Sequence, residues 1–362
     1  MSYIIEIDRF RIVLHVLRCF MHLCLPFVLM PSEIWPFKSI TKQSEIYDSY
    51  VFLIHVGVME AFFILNGFFA IQMLSKKTVA QFILNRIRRI FVPLLIGMIT
   101  IIPIILIISL SYRNNISINE FSFKLLIDHY RLNPYNFGHL WSLWYLLIIY
   151  GVILLLESKN HLLSTQIRKL SFLQISLLTI IVSAFALFSF HRKYTLLPVD
   201  SLFDWQMIIY YLSFFCLGIW FHEKKDKIPL MKVNYVLYLF TLLAISINVI
   251  YQKSDTQNLL FHFFGKLAYV THSFCSVFIL FSLIRYRKIG EANSIKVLSQ
   301  NMYWLYWIEV PIAIGIHYYF KDCLYPSMVV IGGGIFTLTF SLISYHLFLK
   351  NRKIGKFLGF ST

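Results

Sequence analysis

The 362-residue chain is 58% hydrophobic and only 14% charged, with a mean hydropathy of +0.70; a soluble protein carries about a quarter charged residues, so that class is excluded. The composition predicts an all-α, polytopic integral membrane protein, and its 35 Phe and 22 Tyr suit many spans anchored at lipid interfaces. The net charge of +16 reads as topology rather than as a nucleic-acid footprint, because Lys and Arg gather in the cytoplasmic loops of such proteins.

Ten apolar runs have the length needed to cross the hydrocarbon core. They lie near 10–31, 50–73, 90–111, 138–157, 171–190, 205–222, 233–251, 259–284, 298–320 and 327–349, with Trp, Ser and Tyr diluting the fourth and sixth. A cytoplasmic N-terminus puts 22 of the 33 Lys and Arg in inner segments and nine in outer loops, leaving Arg18 and Lys266 within spans. That bias predicts about ten transmembrane helices in one bundle with both termini cytoplasmic. No Pro- or Gly-rich linker and no internal repeat divides the chain, so residues 1–362 read as a single domain. The first apolar segment has internal arginines and no small-residue cleavage site, and is expected to stay in the mature protein. The five cysteines lack paired spacing and predict neither a disulfide framework nor a zinc site. "HEKKD" at His222 lacks the second histidine of a zinc-protease helix, and no metal is expected.

The first span contains "RIVLHVLRCFMH". Arg11, His15, Arg18 and His22 follow at steps of four, three and four, which places them on one helical face. That stripe is expected to face the bundle interior, with Arg11 at the cytoplasmic end and His22 roughly 16 Å deeper, near the membrane midplane. Ionisable groups are expensive in hydrocarbon and mark function there. Histidine is the side chain best suited to take and return a proton near neutral pH. In the second span, His55 and Glu60 interrupt the apolar run, and Glu60 is expected to face inward and pair with Arg18. "NRIRRIFVP" gathers Arg86, Arg88 and Arg89 where the third span starts. This reads either as positive-inside anchoring or as a phosphate-binding cluster, since guanidinium forks suit phosphates. "HLWSLWYLL" opens the fourth span, and His139, Trp141 and Trp144 are expected in an outer aromatic belt. Lys266 and His272 add interior polarity to the eighth span. The ninth carries "NMYWLYWIEVP", with Glu309 buried two residues before Pro311 and its Tyr and Trp read as interface anchors.

Taken in order, these motifs resemble acyltransferase family 3, the membrane O-acyltransferases: R-x10-H from Arg11 to His22, "FFILNGFF", R-x2-RIFVP from Arg86, "HLWSLWYLL" and a late "LYWIEVP". The likeness is closest to the glucan succinyltransferase branch, which shares an Asp three residues before the arginine (Asp8), "IHVGVMEAFF" with His55 and Met59, and "YYLSFFCLG" around Gly218. It runs from about residue 4 to 350. The resemblance implies a ten-helix core in the bacterial inner membrane that moves an acyl group from cytoplasmic acyl-CoA to a hydroxyl of a cell-envelope carbohydrate. It implies His22 as general base, Arg11 as the residue that positions the donor, and Arg86 and Arg89 on the CoA phosphates. Asp8, Arg18, His55, Glu60, His139 and Glu309 support them. The expected co-substrate is acetyl-CoA, with succinyl-CoA second, and the expected acceptor is lipopolysaccharide O-antigen, periplasmic glucan or a similar glycan.

Two departures stand out. Asn66 replaces the small residue before the glycine of "SGFF", and the branch's late "HHP" reads "EVP", with Glu309 and Val310 in place of histidines. The second leaves acyl group and acceptor open, as is the choice between direct transfer and an acyl-histidine. Two other readings also fit the sequence. A transporter or flippase of a lipid-linked or acyl metabolite would explain ten spans and midplane charges without a base, and an inactive relative would serve as a membrane receptor.

Overall fold

The computed structural model describes residues 2–29, 35–39, 41–133, 135–157, 162–189, 201–224, 235–253, 258–286, 292–350, 352, 353 and 355. Among them there is no β-strand. The chain runs as α1 (Ser2–Cys24), α2 (Glu45–Leu74), α3 (Val79–Arg86), α4 (Val92–Arg113), α5 (Phe123–Leu132), α6 (Trp141–Glu157), α7 (Leu162–Lys169), α8 (Phe172–Phe188), α9 (Trp205–Glu223), α10 (Tyr235–Lys253), α11 (Leu259–Tyr286), α12 (Ala292–Phe320) and α13 (Pro326–Ser344). A π-helical turn, Ile87–Phe91, joins α3 to α4.

Each of the ten apolar runs has a helix at its centre. Among the described residues, seven helical stretches are long and apolar enough to cross a membrane: Ile5–Phe27, Glu45–Leu74, Val79–Arg113, Gly138–Glu157, Trp205–Glu223, Leu259–Ile284 and Pro326–Leu349. The number rises to eight if α7 and α8, bent by 118° to one another, form one span. The apolar stretch of α10, Leu239–Tyr251, is shorter. The polar residues that α12 carries into the bundle, among them Asn301 and Glu309, both about 1% exposed, dilute its hydropathy.

Two local features shape the bundle. The first is a break in α2 at Val56 (ψ 95°) and Gly57 (φ 127°). Positive φ is cheap only for glycine, and the break frees the amide that opens the second half of the helix. Glu60 Oε2 accepts that Gly57 N–H at 3.0 Å, while Tyr210 donates its hydroxyl to Oε1. Glu60 therefore caps a broken helix and does not pair with Arg18 as the sequence led us to expect. An acid three residues after a helix break meets the orphan amides before it can reach a cation.

The second feature is the antiparallel crossing of α2 and α9. A side chain at Gly67 would collide with the backbone carbonyl of Phe215, and one at Gly218 with that of Ile64. Small residues let membrane helices approach backbone to backbone, and this contact fixes α2 against a core that includes Phe63, Phe214 and Phe215, each fully buried. Gly67→Ala and Gly218→Ala are each expected to lower the thermal midpoint in detergent by the few degrees that about 1–3 kcal/mol of overpacking produces. Gly151→Ala, whose methyl meets nothing within 4 Å, is expected to leave it level or raise it. Melting followed by tryptophan fluorescence checks this, and equal midpoints for all three variants would refute the close crossing.

Candidate active site

The helices α1 and α12 run parallel and share three polar rungs. At the first, Arg11 Nη1 donates to Ser299 Oγ at 3.2 Å and lies 3.7 Å from Asp8 Oδ1. Ser299 Oγ donates in turn to the same Asp8 oxygen at 2.6 Å. At the second, Arg18 Nε lies 2.7 Å from Glu309 Oε1. At the third, His317 Nε2 donates to the carbonyl of Leu23 at 3.2 Å. Two side chains of the α1 polar stripe, Arg11 and Arg18, thus meet side chains of α12.

A cavity of about 410 Å³ opens at the end of the bundle where α1 begins. Its mouth gathers Arg11, Arg86, Arg89 and Lys296, and it runs inward past Leu14 and His15 to Arg18, Val58 and Met59. Its size falls within the range of small-molecule sites. Arg86 is held there by a chain of contacts. The guanidinium lies 4.7 Å from the ring centres of both Phe82 and Tyr150 and donates to the Tyr150 hydroxyl at 3.2 Å. That hydroxyl donates to Asn66 Oδ1 at 3.1 Å. Asn66 thus has a defined task, which its amide performs by giving a second hydrogen bond to Phe62 O at 2.9 Å. The π-helical turn after Arg86 contains Arg89, whose carbonyl accepts from the Tyr303 hydroxyl at 2.7 Å; such turns concentrate at functional sites. Arg88, between them, is exposed and lines neither this cavity nor the next.

Arg18, Val58 and Met59 also line a second, smaller cavity of about 50 Å³, together with His22, His55, His139, Trp141, Tyr306 and Glu309. Here His22 Nδ1 lies 3.4 Å from Glu309 Oε1. This is long for a hydrogen bond, and the two atoms do not form one in the resting structure. The imidazole stacks on Trp35, ring centres 5.8 Å apart and planes within 5°. Trp35 Nε1 donates to His317 Nδ1 at 3.2 Å. Since His317 is also bonded to Leu23, the residue after His22, the base candidate is fixed from its backbone and from its ring face. On the other side, the Arg18 guanidinium lies 4.5 Å from the Tyr306 ring centre, and the Tyr306 hydroxyl donates to His139 O at 2.7 Å.

The site thus brings together Asp8, Arg11, Arg18, Arg86 and Arg89 at the larger cavity and His22, His55, His139 and Glu309 at the smaller. It leaves out Glu60. His15 Nδ1 donates to its own helix at Arg11 O, 2.9 Å. Lys266 and His272 are buried but line neither cavity. Trp141 and Tyr306 were expected as interface anchors and are instead buried, at 2% and 3% exposure; an aromatic near a span end fits either place, and only the packing separates them. Reading the sequence also missed Trp35, His317, Ser299 and Tyr150. Trp35 lies outside any apolar run, and the others carry no motif.

One comparison bears on this arrangement. The model of the Acyl_transf_3 family, an acyltransferase domain, matches residues 4–346. The chain belongs to acyltransferase family 3. No curated protein and no solved structure matches it. The family match covers every residue of both cavities.

Within that family member, Arg18 and Glu309 are a buried ion pair whose partners cannot be removed singly without leaving a bare charge. Glu309→Leu and Arg18→Met are each expected to cost about 3–5 kcal/mol, and the double variant to regain most of it. Glu60→Gln and Arg18→Met, having no shared contact, are expected to add. Thermal midpoints of the five variants in detergent check both statements; additivity for Glu309 or coupling for Glu60 would overturn the pairing.

Proposed function

We propose that the protein is an O-acyltransferase that accepts an acyl group from a cytoplasmic acyl-CoA and delivers it to a hydroxyl of a cell-envelope carbohydrate across the bacterial inner membrane. The observation that carries this reading is the meeting of the two cavities at Arg18, Val58 and Met59, with a cationic mouth on one side and His22 on the other. Four cations at the mouth suit the phosphates of a CoA thioester, and the cavity behind them suits its long pantetheine arm. Arg11, bonded to Ser299 and beside Asp8, is aimed by its neighbours rather than free to swing, as a donor-positioning group requires.

In the reaction, Glu309 accepts the Nδ1–H of His22 as the two close from their resting separation of 3.4 Å, and Nε2 is left to take the proton of an acceptor hydroxyl. The carboxylate also steadies the imidazolium that results, the role an acid plays behind a histidine base. The acceptor approaches from the end where α1 finishes, opposite to the donor. Its identity as a glycan follows the likeness to the family's carbohydrate-modifying members, and the inner membrane follows the same likeness. Both termini in the cytoplasm accord with the Lys and Arg distribution, which sets the cationic mouth on the side where acyl-CoA is made.

Purified protein in vesicles that carry envelope glycan, supplied with labelled acetyl-CoA or succinyl-CoA outside the cationic face, tests the reading. Label is expected in the glycan with wild type. His22→Ala is expected to lower transfer by about 10²- to 10⁴-fold, and Arg11→Ala and Arg86→Ala to raise the KM for acyl-CoA. A wild type that consumes no acyl-CoA, or a His22→Ala variant with full transfer, would sink the proposal.

A further inference from the structure

We infer that Arg18 is itself a catalytic residue, stabilising through its Nη2 the negative charge that forms on the acyl carbonyl oxygen during transfer. The inference rests on the acyl-transfer reading above and adds to it a role for a residue that the motif R-x10-H passes over. Of the three side chains common to both cavities, Arg18, Val58 and Met59, Arg18 alone has hydrogen bonds to donate. The junction of the cavities is where a thioester arriving from one side meets a hydroxyl activated on the other, so its carbonyl must lie beside this guanidinium.

Two contacts orient the side chain in a way that suits the task. Nε faces Glu309 at 2.7 Å, and the guanidinium lies over Tyr306. Arg18 is 6% exposed, and its Nη2 is buried without a hydrogen-bond partner. A buried, unsatisfied cationic donor costs free energy in the resting protein, and that cost is recovered when an anion forms beside it. Donors fixed in advance around a developing charge are the largest single contributor in many enzymes.

Three neighbouring groups do not serve. The Tyr306 hydroxyl is spent on His139 O, and His15 on Arg11 O. His139 donates from Nε2 to Trp307 O at 3.2 Å, so its unpartnered Nδ1 carries a lone pair in the neutral ring and accepts rather than donates.

The step balances as follows in direct transfer. The acceptor oxygen bonds to the thioester carbon while His22 Nε2 takes its proton. The C=O π pair moves onto the carbonyl oxygen, which accepts from Arg18 Nη2. The pair then returns, the C–S bond breaks, and the departing thiolate takes the proton back from His22.

The test uses the full-length protein in detergent and two readouts. The first is kcat and KM with acetyl-CoA for wild type and Arg18→Lys, which keeps a cation for Glu309 but lacks the guanidinium fork. The second is the affinity for a trifluoromethyl ketone analogue of acetyl-CoA, whose hydrated carbonyl imitates the tetrahedral species, relative to CoA itself. Arg18→Gln in a Glu309→Gln background, compared with wild type, repeats the second measurement without a bare buried charge on either side. Thermal midpoints confirm that each variant is folded.

Wild type is expected to prefer the analogue by at least about 10²-fold, as transition-state analogues are preferred elsewhere. Arg18→Lys is expected to lose most of that preference and to lower kcat by about 10²- to 10³-fold with little change in KM. A purely structural Arg18 would leave the preference intact in every folded variant, and that result overturns the assignment alone. A wild type that neither turns over acetyl-CoA nor prefers the analogue overturns the acyl-transfer reading and the assignment with it.

Discussion

The ion pair between Arg18 and Glu309 is the constraint on which the rest of this site depends. A charged side chain at the centre of a membrane helix costs a few kcal/mol even on the mildest insertion scale. Two such charges, buried to 6% and 1% exposure, are tolerated because each answers the other. Their pairing sets the register of α1 on α12. It thereby brings Arg11 to Ser299 at one end and Leu23 to His317 at the other. It also places one carboxylate oxygen against both Arg18 and His22.

Around that pair the fold uses local departures from regular helix as positioning devices. The break at Gly57 comes two residues after His55, and both neighbours of the break, His55 and Val58, line the smaller cavity. The π-helical turn at Ile87–Phe91 separates Arg86 and Arg89, at the mouth of the larger cavity, from the exposed Arg88 between them. Each irregularity has a partner: Glu60 and Tyr210 at the first, and Tyr303 at the second through Arg89.

How much of this was legible in the sequence follows from the range of the interactions. The stripe Arg11, His15, Arg18 and His22 could be seen because a helix repeats every 3.6 residues and its surroundings are apolar. Asp8, Arg86 and Arg89 were legible through motif order. The choice between Glu60 and Glu309 as the partner of Arg18 was not, since both acids lie within spans and only tertiary register separates them. Gly57, three residues before Glu60, was the local sign that this acid had work of its own. "EVP" stood out as a departure from the late histidines of the glucan branch; in the structure, the acid in that position is the one that reaches His22. Trp35 stayed hidden because its importance comes from a stacking partner on another segment.

The distance in sequence between Arg18 and Glu309 also bears on how the protein is made. About 290 residues separate the two, and at roughly 5–20 residues per second the ribosome reaches α12 some 15–60 s after α1. During that interval the first helix is in or near the bilayer with its cation uncompensated. Full burial of α1 must therefore wait for α12. The pair that holds the finished site is thus a late contact, formed only between the first helix and one made long after it.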